Sequence, residues 1–132
     1  MRVVIDLEAA QSPQSRHRGI GRYSLALAKE MLLQGRERGH EIIVALNGTY
    51  EGTAAPMRQA LEGFVHPSNV VSWHATLPAQ FTHDASQRRA CERVREGFLA
   101  SLDADVVHVA SLFEHSPFSF TTIGTAASAF TE

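Results

Sequence analysis

Apolar residues run without interruption through Val3-Val4-Ile5 and stop at Asp6, the pattern of a short strand buried on both faces of a parallel sheet. Three more runs follow, at Ile42-Ile43-Val44-Ala45-Leu46, around Val70-Val71 and at Val106-Val107-His108-Val109. Together they predict strands over residues 2–6, 41–46, 69–74 and 105–110. Between them the period lengthens to that of a helix. Ile20, Tyr23, Leu27 and Met31 fall at i, i+3, i+7 and i+11 and predict a helix over 20–38, with those four as its buried stripe and Gly39 as its stop. A weaker helix is expected over 55–65, with Pro56 in its first turn and Met57, Leu61, Phe64 and Val65 as its apolar face. A third, over 84–102, puts Cys91, Val94, Phe98 and Leu102 on one side and leaves Arg88, Arg89, Arg93, Arg95 and Glu96 largely elsewhere, as a solvated face. Residues 7–18, with Pro13 among Ser, Gln and Arg, predict a long loop. Residues 111–132 have no clear period beyond a short helix expected near 124–130.

Strand and helix alternate, so the fold class is α/β: a Rossmann-like three-layer α/β/α sandwich around a mainly parallel sheet. In such sheets ligands bind beyond the C-terminal strand ends. That rule brings together the loop at 7–22, the segment from Asn47 and the loop at 111–118. The 132 residues make a single domain, long enough to bury a core and too short for two. A formal net charge of −2 argues against a general nucleic-acid binder. The lone Cys91 excludes an internal disulfide and, with no cysteine cluster, a structural zinc. No run of about 18 apolar residues is present to span a bilayer, and the N-terminus enters a strand directly, so a cytoplasmic protein is expected.

The chemistry concentrates in Ser15-Arg16-His17-Arg18-Gly19-Ile20-Gly21-Arg22-Tyr23-Ser24. A basic, glycine-bearing loop that runs into a helix N-terminus is a ready anion site, because exposed backbone N–H groups and the helix dipole favour negative charge. The guanidinium groups of Arg16, Arg18 and Arg22 suit phosphate. Gly19-Ile20-Gly21 is only the first part of a dinucleotide fingerprint: Ser24 stands at the third glycine, a dozen residues separate the motif from the strand, and Leu46-Asn47 stands where an acidic residue is needed. A phosphate-binding G-x-x-x-x-G-K-[ST] loop is absent. Asp6 and Glu8 hint at the acidic cluster of a phosphoacceptor domain, whose late lysine is missing, since Lys29 is the only lysine. His108, flanked by valines, reads either as a core or sheet-end histidine or as a group aimed at the cleft. Glu114 and His115 follow the fourth strand, where an acceptor hydroxyl could meet a base.

The run from Ile5 to Ser12, followed by Arg18-Gly19-Ile20-Gly21-Arg22-Tyr23-Ser24, together with Asp105-Val106-Val107-His108-Val109-Ala110-Ser111-Leu112-Phe113-Glu114, resembles the N-terminal domain of bacterial family 4 glycosyltransferases. These are retaining GT-B enzymes of surface-polysaccharide biosynthesis. The resemblance covers essentially the whole chain and is strongest at 3–46 and 104–114. It implies half of a GT-B fold, in which this domain binds a glycan or lipid-linked acceptor and a second Rossmann-like domain holds the nucleotide-sugar. It further implies that Gly19, Ile20 and Gly21, with Arg18 and Arg22, approach the donor diphosphate, and that Arg16, His17 and Ser111 lie on the acceptor side. His108 and Glu114 are the catalytic candidates. No cofactor and no metal are expected, since arginines and backbone amides can neutralise the leaving diphosphate.

The paired glutamates that the family carries eight residues apart in its second domain are absent. The expectation is therefore an acceptor-side domain truncated before its end, missing its C-terminal nucleotide-sugar-binding partner and inactive alone. Peripheral contact with the inner face of a membrane, through the arginines of 88–95, is a further expectation. Two other classes stay open. A non-catalytic α/β module for a phosphorylated ligand or nucleotide would bind it without a second domain, and a self-associating structural domain would tolerate replacement of Gly19 and Gly21.

Overall fold

The computed structural model describes residues 1–12, 15–50, 52–74 and 85–110. Four strands, β1 (Arg2–Asp6), β2 (Glu41–Asn47), β3 (Val70–Trp73) and β4 (Val106–Val109), alternate with helices α1 (Glu8–Gln11), α2 (Gly19–Glu37), α3 (Ala54–Ala60) and α4 (Ala85–Ser101), and a 3₁₀ turn at Pro67–Asn69 precedes β3. The strands form one sheet in the order β3-β2-β1-β4, and all three pairings are parallel. This is a Rossmann-like α/β/α arrangement. The order reverses at β1, which pairs with β2 through Ile5–Val44 and Asp6–Ala45 and with β4 through Ile5–His108 and Asp6–Val109. In open parallel sheets such a reversal opens a crevice beyond the strand ends.

Successive strand residues face opposite sides, and the core divides accordingly. Val3, Ile5, Ile42, Val44, Leu46 and Val70 pack with Ala10 of α1, with Ala28 and Leu32 of α2 and with Leu61. Val4, Ile43 and Ala45 pack on the other face with Leu99 of α4, joined by Phe98, Leu102 and Val107. Trp73 and Cys91 extend that second layer.

The helices depart from expectation in three ways, each with a physical reason. First, residues 8–11, read as loop, form α1, whose four residues are all buried. A helix this short is held by its contacts and not by its own propensity. Second, the buried stripe of α2 is Gly21, Ser24, Ala28, Leu32 and Gly35, not the stripe through Ile20 and Tyr23, which are 42% and 62% exposed. Small residues bring the helix axis down onto the sheet: a Cβ at Gly35 would stand 2.2 Å from Ile42 Cδ1. Third, α4 buries Cys91, Arg95 and Leu99, while Val94 is 47% exposed. Arg95 therefore does not belong to the solvated face with Arg89 and Arg93, which are exposed. As expected, Gly39 ends α2 at φ +74°, with His40 N–H donating to Gly35 O at 2.8 Å. Helix α3 stops at Ala60, short of 65. The helix expected near 124–130 lies outside the described residues.

Arg95 is buried because it has a partner. Its Nε donates to Asp6 Oδ2 at 3.1 Å and its Nη2 donates to the same oxygen, tying α4 to the end of β1 across the sheet face. Truncating one partner strands the other charge in the interior, so Arg95→Met alone is expected to cost about 3–5 kcal/mol in urea unfolding. Asp6→Asn combined with Arg95→Met removes both charges and is expected to restore most of that loss.

Candidate functional site

The C-terminal edge of the sheet carries a layer of buried polar groups. Asp6, the last residue of β1, accepts the Glu8 N–H on Oδ1 at 3.1 Å, which starts α1. The Glu8 side chain reaches the end of β2 and the turn after it. Its Oε1 accepts Asn47 Nδ2 at 3.3 Å and the Tyr50 hydroxyl at 3.2 Å. Glu8 is 3% exposed. Burial and, next, the neighbouring Asp6 charge push its carboxyl up to about 8, against the opposing influence of Arg95 and of the bonds from Asn47 and Tyr50. It is therefore mainly protonated at neutral pH.

Gln11 anchors the other end of α1. Its amide meets the backbone of Asn47 twice, accepting from Asn47 N–H at 2.8 Å and donating to Asn47 O at 3.0 Å, and it also donates to Thr53 Oγ1. Thr53 in turn donates to Tyr50 O at 2.7 Å. Among the described residues, two buried side-chain polar atoms have no hydrogen-bond partner: Arg95 Nη1 and Ser12 Oγ.

The basic loop hangs from this layer through backbone bonds. Ser12 O accepts the N–H groups of Ser15 and Arg16 at 3.0 and 2.8 Å, and Ser15 O accepts those of Arg18 and Gly21 at 2.9 and 3.1 Å. Gly21 is required by this turn: a Cβ there would lie 2.2 Å from Ser15 O and 2.6 Å from Arg16 Cα. Gly19, by contrast, has nothing within 4 Å of its missing Cβ. Arg16, His17, Arg18, Gly19, Ile20, Arg22 and Tyr23 are all exposed around the start of α2. The N-cap residue Arg18 is extended, and no side chain caps the helix. Arg16, Arg18 and Arg22 thus lie together on one exposed turn at a helix N-terminus, with Gly19 and Ile20, while Gly21 is buried and its N–H is taken by Ser15 O.

The remaining candidates scatter. His108 is half-buried on β4, in register with Ile5 and one residue short of the strand end. Ser111, Glu114 and His115 lie outside the described residues, as does the loop at 111–118. Two surface grooves of about 340 and 430 Å³ are lined by α3, the 3₁₀ turn and the end of α2, and none of the basic-loop residues lines either. Among the described residues no cluster of three or more His, Cys, Asp or Glu could hold a metal ion, and no helix is long and apolar enough to cross a membrane.

The buried residues Glu8, Gln11, Asn47, Tyr50 and Arg95 were missed as a group by sequence reasoning. One signal was available: Arg95 falls midway between Cys91 and Leu99 at four-residue spacing, on an otherwise apolar stripe. Glu8 and Gln11 carried no comparable mark.

Fold and loop together define a parallel α/β unit with an exposed, arginine-rich turn at the start of α2. Over 124 residues, 92% of its length, the chain is 26% identical to the serotype-specific mannosyltransferase WbdA of Escherichia coli, and it spans 14% of that protein. This similarity ties it to a glycosyltransferase sequence. No protein-family profile matches the chain, and no solved structure matches it.

The two glycines separate experimentally. Gly21→Ala is expected to lower unfolding free energy by about 1–3 kcal/mol, since backbone atoms would have to move. Gly19→Ala, in open space on a helical residue, is expected to be neutral or to stabilise by up to about 1 kcal/mol. Urea titration of both variants checks the contrast.

Proposed function

We propose that this chain is the acceptor-side Rossmann-like unit of a retaining glycosyltransferase of the GT-B, family 4 type. Such an enzyme moves a sugar from a nucleotide-sugar to a glycan or lipid-linked acceptor in polysaccharide biosynthesis. The observation that carries the reading is the mannosyltransferase similarity, which runs through almost the whole chain. The cationic turn at residues 16–22 supports it physically: Arg18 and Arg22, with the backbone N–H groups of Gly19 and Ile20, are suited to neutralise charge that develops on a departing diphosphate, whereas the Gly21 N–H is already taken by Ser15 O and Gly21 serves the close approach of the turn. Arg16 and His17 sit on the same turn and are assigned to the acceptor side, together with Ser111. His108 and Glu114 are the catalytic candidates. The reading involves no metal, because guanidinium and amide groups supply the positive charge. A second, nucleotide-sugar-binding domain completes the cleft. The chain works at the cytoplasmic side, with peripheral membrane contact through exposed arginines such as Arg89 and Arg93. Arg95 takes no part in that contact.

Two measurements test this. Incubated alone with a panel of nucleotide-sugars and glycan acceptors, the chain is expected to give no turnover, and sustained transfer would overturn the half-unit reading. Titrated with inorganic pyrophosphate at low ionic strength, it is expected to bind weakly. Arg18→Ala and Arg22→Ala should each reduce that affinity by about fivefold, the scale of one exposed charge contact, without altering thermal stability. Unchanged affinity in both variants would remove the loop from the donor site. Tight binding of a nucleotide by the chain alone would favour a non-catalytic binding module instead.

A further inference from the structure

We propose that His74, an imidazole laid over Gly48 on the rim of the sheet, is a carbohydrate-binding residue that holds a hydroxyl group of the acceptor. The register of the strands sets its place. Asp6, the last residue of β1, pairs with Ala45 on one side and Val109 on the other, so β1 and β4 end level, whereas β2 runs on to Asn47 and pairs there with Trp73 of β3. The C-terminal edge is therefore stepped. With a rise of about 3.3 Å per residue and about 4.8 Å between strands, His74 stands about 10 Å beyond the level of Asp6 and about 10 Å to its side. Ligands of open parallel sheets lie beyond this edge, and His74 stands on its higher step.

The seat of the ring is built from backbone. Gly48 N–H donates to Trp73 O at 2.7 Å, and Thr49 N–H donates to Asn47 Oδ1 at 2.9 Å, which fixes the turn beneath the imidazole. A Cβ on Gly48 would lie 2.3 Å from His74 Nε2 and 2.5 Å from its Cε1. The glycine is not there for its own backbone, since the positive-φ glycines among the described residues are Gly39, Gly52 and Gly63. What it supplies at position 48 is room for the ring. His74 is exposed, so resting it on Gly48 does not serve the core; it holds a polar group in one place at the surface, and a group fixed beforehand loses less freedom on binding. A neutral imidazole presents one donor and one acceptor, the pair that an alcohol also presents. The inference rests on the glycosyltransferase reading for the class of ligand, a glycan or lipid-linked acceptor.

Imidazole and backbone-amide NMR signals of the whole chain, followed as methyl pyranosides and short neutral oligosaccharides are added at millimolar concentration, test the assignment. The chain has seven histidines, and the His74 signal is the one lost in His74→Ala. That signal is expected to shift saturably with at least one saccharide. Followed on amide signals, His74→Ala should bind the same saccharide about fivefold more weakly, the scale of one net hydrogen bond. Gly48→Ala should have the same effect by displacing the ring, at little cost in stability, because the atoms in the way belong to the end of a side chain. Combined, the two changes should cost no more than either alone. If Gly48→Ala fails to fold by circular dichroism, His74→Gln takes its place, and its amide, with a donor and an acceptor, should bind more tightly than His74→Ala.

Saccharide-induced shifts elsewhere in the chain with His74 silent overturn the inference and leave the acceptor-side reading standing. Equal affinity in wild type and His74→Ala does the same, as do additive losses in the double variant or a His74→Gln no better than His74→Ala. No saccharide response anywhere in the chain removes the acceptor-side reading and the inference with it.

Discussion

One buried ion pair sets the terms for the C-terminal edge of the sheet. Asp6 ends the central strand with a charge in the interior, and the sequence supplies its counter-charge from Arg95, 89 residues away. The pair joins the sheet to α4 and fixes the Asp6 carboxylate, whose other oxygen starts α1 by accepting the Glu8 N–H. Buried ion pairs of this kind need not add net stability relative to apolar residues of equal volume. What this pair adds is direction: it decides which way the chain turns as it leaves β1, and hence where everything up to the start of α2 can go.

The second constraint is closeness. Along α2 the residues facing the sheet and the preceding loop are mostly small, and Gly21 and Gly35 occupy positions where any side chain would collide with Ser15 or Ile42. Close approach is favourable because interiors are packed densely and unfilled space forfeits dispersion energy. The consequence at the surface is that the larger residues Ile20 and Tyr23 are turned outward beside Arg16, Arg18 and Arg22. The same packing that shapes the core therefore composes the exposed face at the helix start, with an aromatic ring and an aliphatic side chain among cations.

These two constraints also explain what could be read from the sequence. The strands were legible because β-branched runs such as Val3-Val4-Ile5 and Ile42-Ile43-Val44 signal burial on both faces, and their alternation with helices sufficed for the α/β class. The basic loop was legible because its charges and glycines are contiguous in the chain. The facing of α2 was not, since a rule that looks for large apolar residues overlooks a helix buried through glycine, serine and alanine. Arg95 was assigned to solvent because charge is ordinarily a surface property, and nothing local in α4 announces a carboxylate on β1. Residues 8–11 were read as loop because their helix exists only through tertiary bonds to Asn47, Tyr50 and Thr53, which are remote in sequence. Polar burial depends on pairing, and pairing across such distances leaves little local trace.

Gln11 meets the backbone of Asn47 as another strand would, with one N–H and one carbonyl presented by a side-chain amide. In effect β2 gains a rung that belongs to no strand, and the terminal peptide groups of the sheet at that point are already spoken for. The Asn47 peptide groups at the end of β2 are thus engaged by α1 and not by a further strand. Replacing Gln11 would thereby unpair strand backbone and not merely a side chain, so one polar residue of a four-residue helix serves as the end-cap of β2.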